Sequence, residues 1–577
     1  MEGIFIFLSK RPRKGIIYYI VDRTYKEQGK LKHETMLYLG RLDNLTRERK
    51  NELEKNLKEL KEPKLLDSFY REINQLGYKE SLYLIDDISI KEVLDFGDIA
   101  AQHKIFEKLG ICEIINKYST KGGGTIDVGR LAEIMAINRN CDPCSRRKLP
   151  SWFETTVLPI LLNIKPSVVN DKLFLRTFPY LQEKTTIPIQ KEIYDKITET
   201  FSIKTEKTYY DITSSYFEGK SCPIAKYGYN RDEIKGKVQI VMGLVVDQNG
   251  ILITHTVHPG NTADVKTVDS MNKRLRYIFG IENSTLVVDR GMISTKNVKQ
   301  LDIDIQSYVF ALKLQNQERD IIDALRENLK PIDDNTSLAE VILVDNSRRK
   351  KYVVGHSKDI EKLSAEGFEA KLKRVEEKLK KIKSNIDSGK HKWTDKRKKN
   401  ITCMLKTEKV SKFILPEFND VSFTFARVTE TIEIARKYEG FFLLSTTEIG
   451  LKGKEILQIY REKDIIEKAF RTIKSEIEMR PFFLSSDTSV IGYVFICALA
   501  YQIRSVMKFH MKKCDSQMSI EDAFEILNRY KVVKIVVEER GVQVFRKVAI
   551  AGQKAIDIIN CFDLESEFEK VSCLNSV

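Results

Sequence analysis

The segment KTYYDITSSYFEG, residues 207–219, predicts a β-strand that carries an acidic residue, Asp211, in its middle. Its tyrosines, threonines and isoleucine are residues that strands favour. A carboxylate inside such a strand has two explanations. Either Asp211 lies on a solvated face of a sheet, or the rigid strand holds it where a positively charged partner binds. The segments that follow Asp211 in the chain decide between these alternatives.

The residues after this strand predict a sheet with a definite order of elements. Two further β-rich runs follow, joined by Asn249 and Gly250, a strong signal for a hairpin turn. Helical and strand-like patterns then alternate. The segments are KVQIVMGLVVDQNG (237–250), ILITHTVHPG (251–260), DVKTVDSMNKRLRYIFG (264–280), STLVVDRG (284–291), STKNVKQL (294–301) and SYVFALK (307–313). The order β-β-β-α-β-α-β predicts an α/β fold, a ribonuclease H-like mixed sheet with helices on both faces.

A second acidic residue, Asp289, stands at the end of the short apolar strand STLVVDRG. Ligand-binding residues belong at the carboxyl end of such a strand. An aspartate before a glycine is also ordinary turn or helix-capping chemistry, which would be the preferred interpretation if Asp289 stood alone.

The segment QIYREKDIIEKAFRTIKSEIEMRP, residues 458–481, adds a third acid within a mixed set of polar side chains. Tyr460, Lys463, Glu467, Arg471 and Lys474 follow a spacing of i, i+3, i+7, i+11 and i+14, which predicts that they lie along one face of a single helix. On an arbitrary helix, such a face would be interpreted as a solvated ladder of ion pairs. Here the spacing also matches a specific signature.

The spacing of Tyr460, Lys463, Glu467 and Lys474 resembles the Y-R-E-K signature of the IS-four-like DDE transposases of insertion sequences. Residues 226–268, VVDRGMIS (287–294) and FRTIKSEIEMRPFF (470–483) are also similar to that family, and so are the N-terminal YLGRLD and NRNCDPCSRRKLPSW stretches. The resemblance covers nearly the whole chain. One departure is that Lys463 occupies the arginine position of the signature, which keeps the charge but loses bidentate phosphate recognition.

The resemblance implies that Asp211, Asp289 and Glu467 are the DDE triad. Three carboxylates without histidine or cysteine suit two Mg²⁺ ions, with Mn²⁺ as a substitute. The signature residues Tyr460, Lys463 and Lys474 would contact DNA phosphates. Arg471 would do the same or pair with Glu467, and the sequence leaves these two roles open.

The implied function is cut-and-paste transposition by a magnesium-dependent DNA recombination enzyme of a mobile element. The partners would be double-stranded DNA, both the terminal inverted repeats and the target, with a homodimer holding the paired ends. Two alternatives are a catalytically inactive DNA-binding protein that keeps the fold and a metal-dependent nuclease that does not transfer strands.

Glu467 follows Asp289 by 178 residues, more than a bare ribonuclease H-like core needs, so an inserted domain is predicted between them. Its long basic helix carries an apolar stripe that favours packing within its own domain over a dimer zipper: Leu372, Val375, Leu379, Ile382 and Ile386. A charged helix is predicted from about 45 to 62. The predicted domains are a small α+β domain (1–90), a helical DNA-binding region (91–204), the first part of the core (205–314), a β-rich and helical insertion (315–450), and the second part of the core with C-terminal helices (451–577).

The charge balance favours a polyanionic partner, since 97 Lys and Arg outnumber 82 Asp and Glu for a net charge of +15. Arg146, Arg147 and Lys148 form a basic cluster beside Trp152, with DNA contact and a solvated turn as alternatives. Trp393 lies in the basic segment GKHKWTDKRKKN (389–400), where it would stack on a base or pack against its own domain.

The remaining features point to the cytoplasm of a prokaryote, with the protein on the nucleoid when it is bound to DNA. The longest apolar run, VIGYVFICALAYQI (490–503), is short and reads as a buried helix, so no membrane partner is expected. Nine scattered cysteines and an N-terminus unlike a signal peptide favour a reducing compartment. Cys141 and Cys144 have C-x-x-C spacing, for which a structural zinc and ordinary packing are the alternatives.

Overall fold

A computed structural model of the chain describes residues 5–13, 16–27, 30–40, 51, 55, 88–119, 126–229, 231, 234, 236–345, 347–537, 542–547 and 552–573. The chain forms two compact units. The first comprises Met1–Ile105, Cys144–Asp171 and His510–Val577, and the second comprises Phe106–Pro143 and Lys172–Phe509. The division into five domains made from the sequence stays a prediction, and the helix predicted at 45 to 62 lies outside the described residues apart from positions 51 and 55.

The structure is a mixed α/β fold. The strands are β1 (Phe5–Arg13), β2 (Ile16–Glu27), β3 (Lys30–Gly40), β4 (Ile88–Asp95), β5 (Lys207–Tyr216), β6 (Gln239–Asp247), β7 (Leu252–Pro259), β8 (Thr285–Val288), β9 (Ser307–Ala311), β10 (Lys330–Pro331), β11 (Thr336–Asp345), β12 (Arg348–Ser357), β13 (Ile414–Phe418), β14 (Phe423–Arg427), β15 (Phe441–Thr446), β16 (Lys531–Val537) and β17 (Val542–Lys547).

The helices lie between and after these strands along the described parts of the chain. They are α1 (Gly97–Leu109), α2 (Ile111–Tyr118), α3 (Val128–Cys141), α4 (Leu149–Glu154), α5 (Leu158–Leu161), α6 (Asp171–Thr177), α7 (Glu183–Phe201), α8 (Val268–Lys273), α9 (Thr295–Ile303), α10 (Asn316–Leu325), α11 (Lys358–Asp387), α12 (Asp395–Thr407), α13 (Thr429–Arg436), α14 (Gly453–Arg461), α15 (Asp464–Arg471), α16 (Asp487–Lys513), α17 (Ile520–Asn528), α18 (Gln553–Cys561) and α19 (Leu564–Cys573).

A nine-stranded mixed sheet forms the centre of the second unit. Its order is β10-β11-β12-β15-β9-β8-β5-β6-β7. Strand β5 pairs antiparallel with β6 and parallel with β8, and β8 pairs parallel with β9. The predicted succession of strands and helices from 207 to 311 is confirmed. Gly250 adopts a positive φ of 80° in the β6–β7 turn, a conformation that glycine tolerates best.

Helices cover this sheet and hold its central strands. Helix α15 packs against β5 and β6, and α7 packs against β7. Helix α16 is long and apolar enough to cross a membrane by length and composition, but 89% of its apolar window is buried within the protein. Its residues Tyr501 and Gln502 donate hydrogen bonds to the carbonyls of Gly250 and Leu252. The predicted buried helix is therefore a core element beside the β6–β7 hairpin.

The segment between β9 and α14 divides into two parts. Strands β10, β11, β12 and β15 extend the central sheet, with β15 pairing directly with β9. The elements from α11 to α13 enclose a separate apolar cluster. The stripe predicted on α11 belongs to that cluster, with Ile382 partly buried and the others buried, so packing within its own domain is confirmed. The buried stripe residues are Leu372, Val375, Leu379 and Ile386.

Among its described residues, the first unit contains two small antiparallel sheets. Strands β1, β2 and β3 pair antiparallel in chain order. Strand β4 pairs with β16, which comes from near the end of the chain, and β16 pairs with β17. A disulfide joins Cys514 and Cys561 in this unit, a pairing that the scattered cysteines did not indicate.

Candidate active site

The register of two parallel strands sets Asp211 and Asp289 side by side. Tyr210 on β5 is opposite Val288 on β8, and each is followed directly by one of the two acids. Asp211 stays within its strand, where the Ile212 N–H donates a 2.8 Å hydrogen bond to its Oδ1. Asp289 ends its strand and receives a 3.4 Å hydrogen bond from the Gly291 N–H. The sheet itself therefore fixes the spacing of two of the predicted acids.

Glu467 reaches the same place from a helix that is broken. Helix α14 ends at Arg461, α15 begins at Asp464, and a π-helical turn follows at Thr472–Glu476. The prediction of a single helix through Tyr460 and Lys474 is therefore wrong.

The physical reason for the break lies at Glu462, in the junction between the two helices. Its carboxylate accepts hydrogen bonds from Lys207 Nζ at 2.8 Å and from Tyr209 Oη at 2.9 Å, both on β5. These donors tie the junction to the strand that carries Asp211.

The break places Lys463 between two of the predicted acids. Its Nζ lies 2.8 Å from Asp289 Oδ1 and 3.5 Å from Glu467 Oε1. Tyr460 Oη donates to the same Asp289 oxygen at 3.4 Å. The Lys463 side chain is 15% exposed, whereas the side chains of Asp289 and Glu467 are 41% and 54% exposed. The structure thus brings the three acids, Tyr460 and Lys463 into one region.

The acids differ in their electrostatics. Burial raises the pKa of Asp211 to about 6, and the neighbouring charge of Asp289 acts in the same direction. Burial also acts to raise the pKa of Asp289, but the hydrogen bond and charge of Lys463 outweigh it and hold that pKa below its ordinary value. Burial works against the charge of Lys463, yet its contact with Asp289 keeps its pKa above the ordinary value. The site thus combines Asp211, whose pKa is raised, with Asp289, which Lys463 holds as an anion.

The donor set of this site is one that a hard divalent cation accepts. Asp211, Asp289 and Glu467 offer carboxylate oxygens, and the histidine and cysteine clusters found among the described residues lie elsewhere. Mg²⁺ and Mn²⁺ prefer such oxygen ligands. The three acids therefore offer the oxygen donors that a divalent metal prefers, but their carboxylate oxygens do not all lie within 4.8 Å of one another in this structure, in which Lys463 contacts Asp289 and Glu467.

The other predicted DNA contacts lie in different settings. Arg471 is exposed at the end of α15, and Glu467 pairs with Lys463 rather than with Arg471 among the described residues. Lys474 lies in the π-helical turn. Arg146 pairs with Asp171 at 2.7 Å, while Arg147 and Lys148 are exposed in the turn before α4.

Trp393 has the packing role that the sequence left open. Its ring stacks on Phe423 at 5.7 Å, and its Nε1 donates a 2.8 Å hydrogen bond to the Asn419 carbonyl. It belongs to the apolar cluster of the insertion. Cys141 and Cys144 are not part of the candidate metal clusters found in the described part of the chain.

Sequence reasoning missed a second ion pair beside the acids. Arg231 contacts Asp264 at 2.5 Å, and its backbone N–H donates a 3.0 Å hydrogen bond to Ser214 Oγ on β5, three residues after Asp211. Arg231 and Asp264 line a pocket of about 380 Å³ together with Gly291, two residues after Asp289. The sequence analysis did not single out Arg231. Only its position, on the segment between the first two core strands, could have marked it as close to Asp211.

Comparisons with known proteins add independent findings. The profile of a family described as the transposase DDE domain matches residues 200–503. Among solved structures, a piggyBac transposase synaptic complex with hairpin DNA is similar at 11% identity and a TM-score of 0.36, covering 75% of this chain and 80% of that chain. A Mos1 transposase paired-end complex with the left transposon end is similar at 12% identity and a TM-score of 0.14, covering 33% and 60%. No curated protein matches the chain.

Proposed function

This chain belongs to the DDE transposase family, and we propose that it is an active enzyme that cuts DNA at the ends of a mobile element and joins the freed 3′-hydroxyls to target DNA. The observation that carries the proposal is the meeting of Asp211, Asp289 and Glu467 around one lysine, although 256 residues separate the first acid from the last. Strands β5 to β9 would be its ribonuclease H-like core, and the Y-R-E-K signature of the IS-four-like group would include Lys463 in the arginine position.

The triad would hold two divalent ions, Mg²⁺ or its substitute Mn²⁺. Asp211 on the central strand would contact both ions, and Asp289 and Glu467 would each contact one. When bound, such ions stabilise negative charge on the attacking and leaving oxygens of a phosphodiester. Since water and then the 3′-hydroxyl are the nucleophiles, the protein needs no nucleophilic side chain of its own.

The other residues of the site would position DNA. Lys463 is mostly buried and contacts two of the acids, so occupation of the site by metal would free its ammonium for a backbone phosphate. Tyr460, Arg471 and Lys474 would add phosphate contacts on the same side. Contacts of this kind contribute affinity and salt dependence without reading the base sequence.

The partners would be the two inverted repeats of the element and a target duplex, held by a homodimer in the nucleoid of a prokaryotic cell. The exposed Arg147 and Lys148 and the lysine-rich helices α11 and α12 would supply further backbone contacts. The net charge of +15 supports a polyanionic partner.

The test is an incubation of the purified chain with Mg²⁺, a DNA fragment bearing the inverted repeats that flank its gene, and a target plasmid. Joined products are the expected result. Binding without cleavage would indicate an inactive DNA-binding protein, and nicks without joining would indicate a nuclease. Glu467→Gln tests the role of Glu467 in this assay, and its matched control is Asp464→Asn on the same helix. The Asp464 carboxylate pairs with exposed Lys468, so Asp464 should be dispensable.

A further inference from the structure

A second cluster of metal-ligating side chains lies in the first unit, outside the carboxylate site. His510 lies in the last turn of α16, and Cys514 directly follows that helix. Cys561 is the last residue of α18. One ligand atom from each residue lies within 4.8 Å of the others. We call these three residues the His510 cluster.

The local structure holds the imidazole firmly. His510 Nε2 lies 3.0 Å from the carbonyl oxygen of Cys561, and the ring packs against Phe562 with a centroid distance of 5.5 Å. In the tautomer in which Nε2–H donates to this carbonyl, the hydrogen bond orients the ring and Nδ1 is the nitrogen that would ligate a metal. The carbonyl in this cluster belongs to Cys561, another of the three candidate ligands.

The two sulfurs are joined in a disulfide in the described structure, with a Cα–Cα distance of 6.0 Å. That backbone spacing also suits two thiolates on one metal ion. A tetrahedral ion with metal–sulfur distances of about 2.3 Å holds its sulfurs about 3.8 Å apart. Cys514 is exposed, and the ligand atoms of all three residues already lie within 4.8 Å of one another.

We propose that the reduced His510 cluster binds one Zn²⁺ through two thiolates and one imidazole, with water as the fourth ligand. Two sulfurs and one ring nitrogen form a donor set that zinc prefers and that magnesium does not. The preference for the reduced form rests on the proposed function, since a protein that acts on chromosomal DNA works where thiols are kept reduced.

A cellular dithiol is the reductant that converts the disulfide form to the form that binds zinc. Two electrons and two protons from the dithiol reduce the Cys514–Cys561 bond to two thiols, and the dithiol becomes a disulfide. Zinc binding then releases the two thiol protons to solvent. The ion links the end of α16 to the end of α18, so it stabilises the attachment of the C-terminal helices within the first unit.

The experiment measures zinc in the full-length protein after purification in a thiol reductant and removal of loosely bound metal by gel filtration. Elemental analysis should find about one zinc per chain, and oxidation with diamide should release it as the two thiols disappear. Cys514→Ser and His510→Ala should lose the zinc. Cys403→Ser is the matched control, because Cys403 is exposed on α12 and outside the cluster.

Cobalt provides a second measurement that does not depend on the variants folding. Co²⁺ added to the reduced wild-type protein should give thiolate-to-cobalt charge-transfer absorption that is displaced by Zn²⁺. Wild-type protein with reduced thiols but no bound zinc and no cobalt band would overturn the proposal. So would zinc retained equally by well-folded Cys514→Ser. Because no DNA is used, either failure leaves the transposase assay unaffected and the two proposals are judged separately.

Discussion

Two regions of the second unit bring carboxylates to the same place by different means. Asp211 and Asp289 come from adjacent strands, so the register of β5 and β8 determines their separation. Glu467 comes from beyond the insertion, on a helix that is interrupted at Glu462 and Lys463. The strand pair is held by a backbone ladder, whereas the helix pair depends on side-chain contacts with β5. We therefore expect the strand acids to tolerate substitution of their neighbours better than the helix acid does.

The largest effect should follow removal of a strand acid. Asp211→Asn keeps the size of the side chain and removes its negative charge. Loss of several kcal/mol of transition-state stabilisation corresponds to a fall in cleavage rate of at least about 1,000-fold. Gel-shift affinity for the element end should change less than about threefold, because the proposed phosphate contacts remain. A parallel loss of folding, seen by circular dichroism, would contradict the assignment.

The second effect tests the anchor of the helix pair. Glu462→Ala removes the acceptor for Lys207 and Tyr209, so the junction and Glu467 should lose their fixed position. We expect cleavage to fall about 10- to 100-fold, the scale on which misplacement of a catalytic group acts. Glu462→Gln should restore part of the rate because it still accepts from Tyr209. The measurement is single-turnover cleavage with saturating protein, with Asp464→Asn as the control.

An equal and large loss in both Glu462 variants, with Mn²⁺ affinity unchanged, would show that Glu462 acts by its charge and not by positioning. A loss confined to Glu462→Ala together with weaker Mn²⁺ binding would support the positioning role.

In the metal-free protein, Asp211 and Asp289 should make the free energy of unfolding depend on pH in different ways. Burial raises the pKa of Asp211 to about 6, above its value of about 3.9 in an unfolded chain. The folded state therefore binds more protons between about pH 4 and pH 6, and the free energy of unfolding decreases as pH rises through that window. Asp211→Asn removes this decrease, so it should be more stable than wild type at pH 7.5 by on the order of 2 kcal/mol.

Asp289 should behave in the opposite way. Its pKa is held below the ordinary value, so its stabilisation is present above that value and is lost as pH falls. Asp289→Asn should therefore lower the stability at pH 7.5. Urea titrations of metal-free wild type and both variants at pH 3, pH 5 and pH 7.5 check both signs, and a less stable Asp211→Asn at pH 7.5 would refute the electrostatic description.

Whether a feature of the fold or the site could be predicted from the sequence depends on how far apart in the chain its interacting residues are. Apolar runs and turn residues are local signals, and they were sufficient to predict the β5 to β9 order and the positions of Asp211 and Asp289. The helix break was not predictable, because the partners of Glu462 are about 250 residues earlier in the chain, on β5. Pairing of β4 with β16 is non-local in the same way. The spacing singled out Lys463 but did not predict its contacts with Asp289 and Glu467.

The smallest effect concerns the lysine between the two regions. Lys463→Met removes the ammonium that contacts Asp289 and Glu467, so Mn²⁺ should bind the DNA-free protein about 3- to 10-fold more tightly, as expected for one partly screened charge. Lys468→Met is the control, since Lys468 lies on α15, directly after the junction that contains Lys463, but pairs with exposed Asp464. Titration followed by electron paramagnetic resonance of free Mn²⁺ gives both affinities. Equal affinities in the two variants would show that Lys463 does not compete with the metal.

The most direct measurement is electron paramagnetic resonance of Mn²⁺ bound to the protein with an element-end duplex. If Asp211, Asp289 and Glu467 share one pair of divalent ions, the spectrum should show two exchange-coupled Mn²⁺ ions at a separation of about 4 Å. The coupling should disappear in Asp211→Asn. Two uncoupled ions, or a coupled pair that survives loss of Asp211, would contradict the assignment of a shared metal site to these three acids.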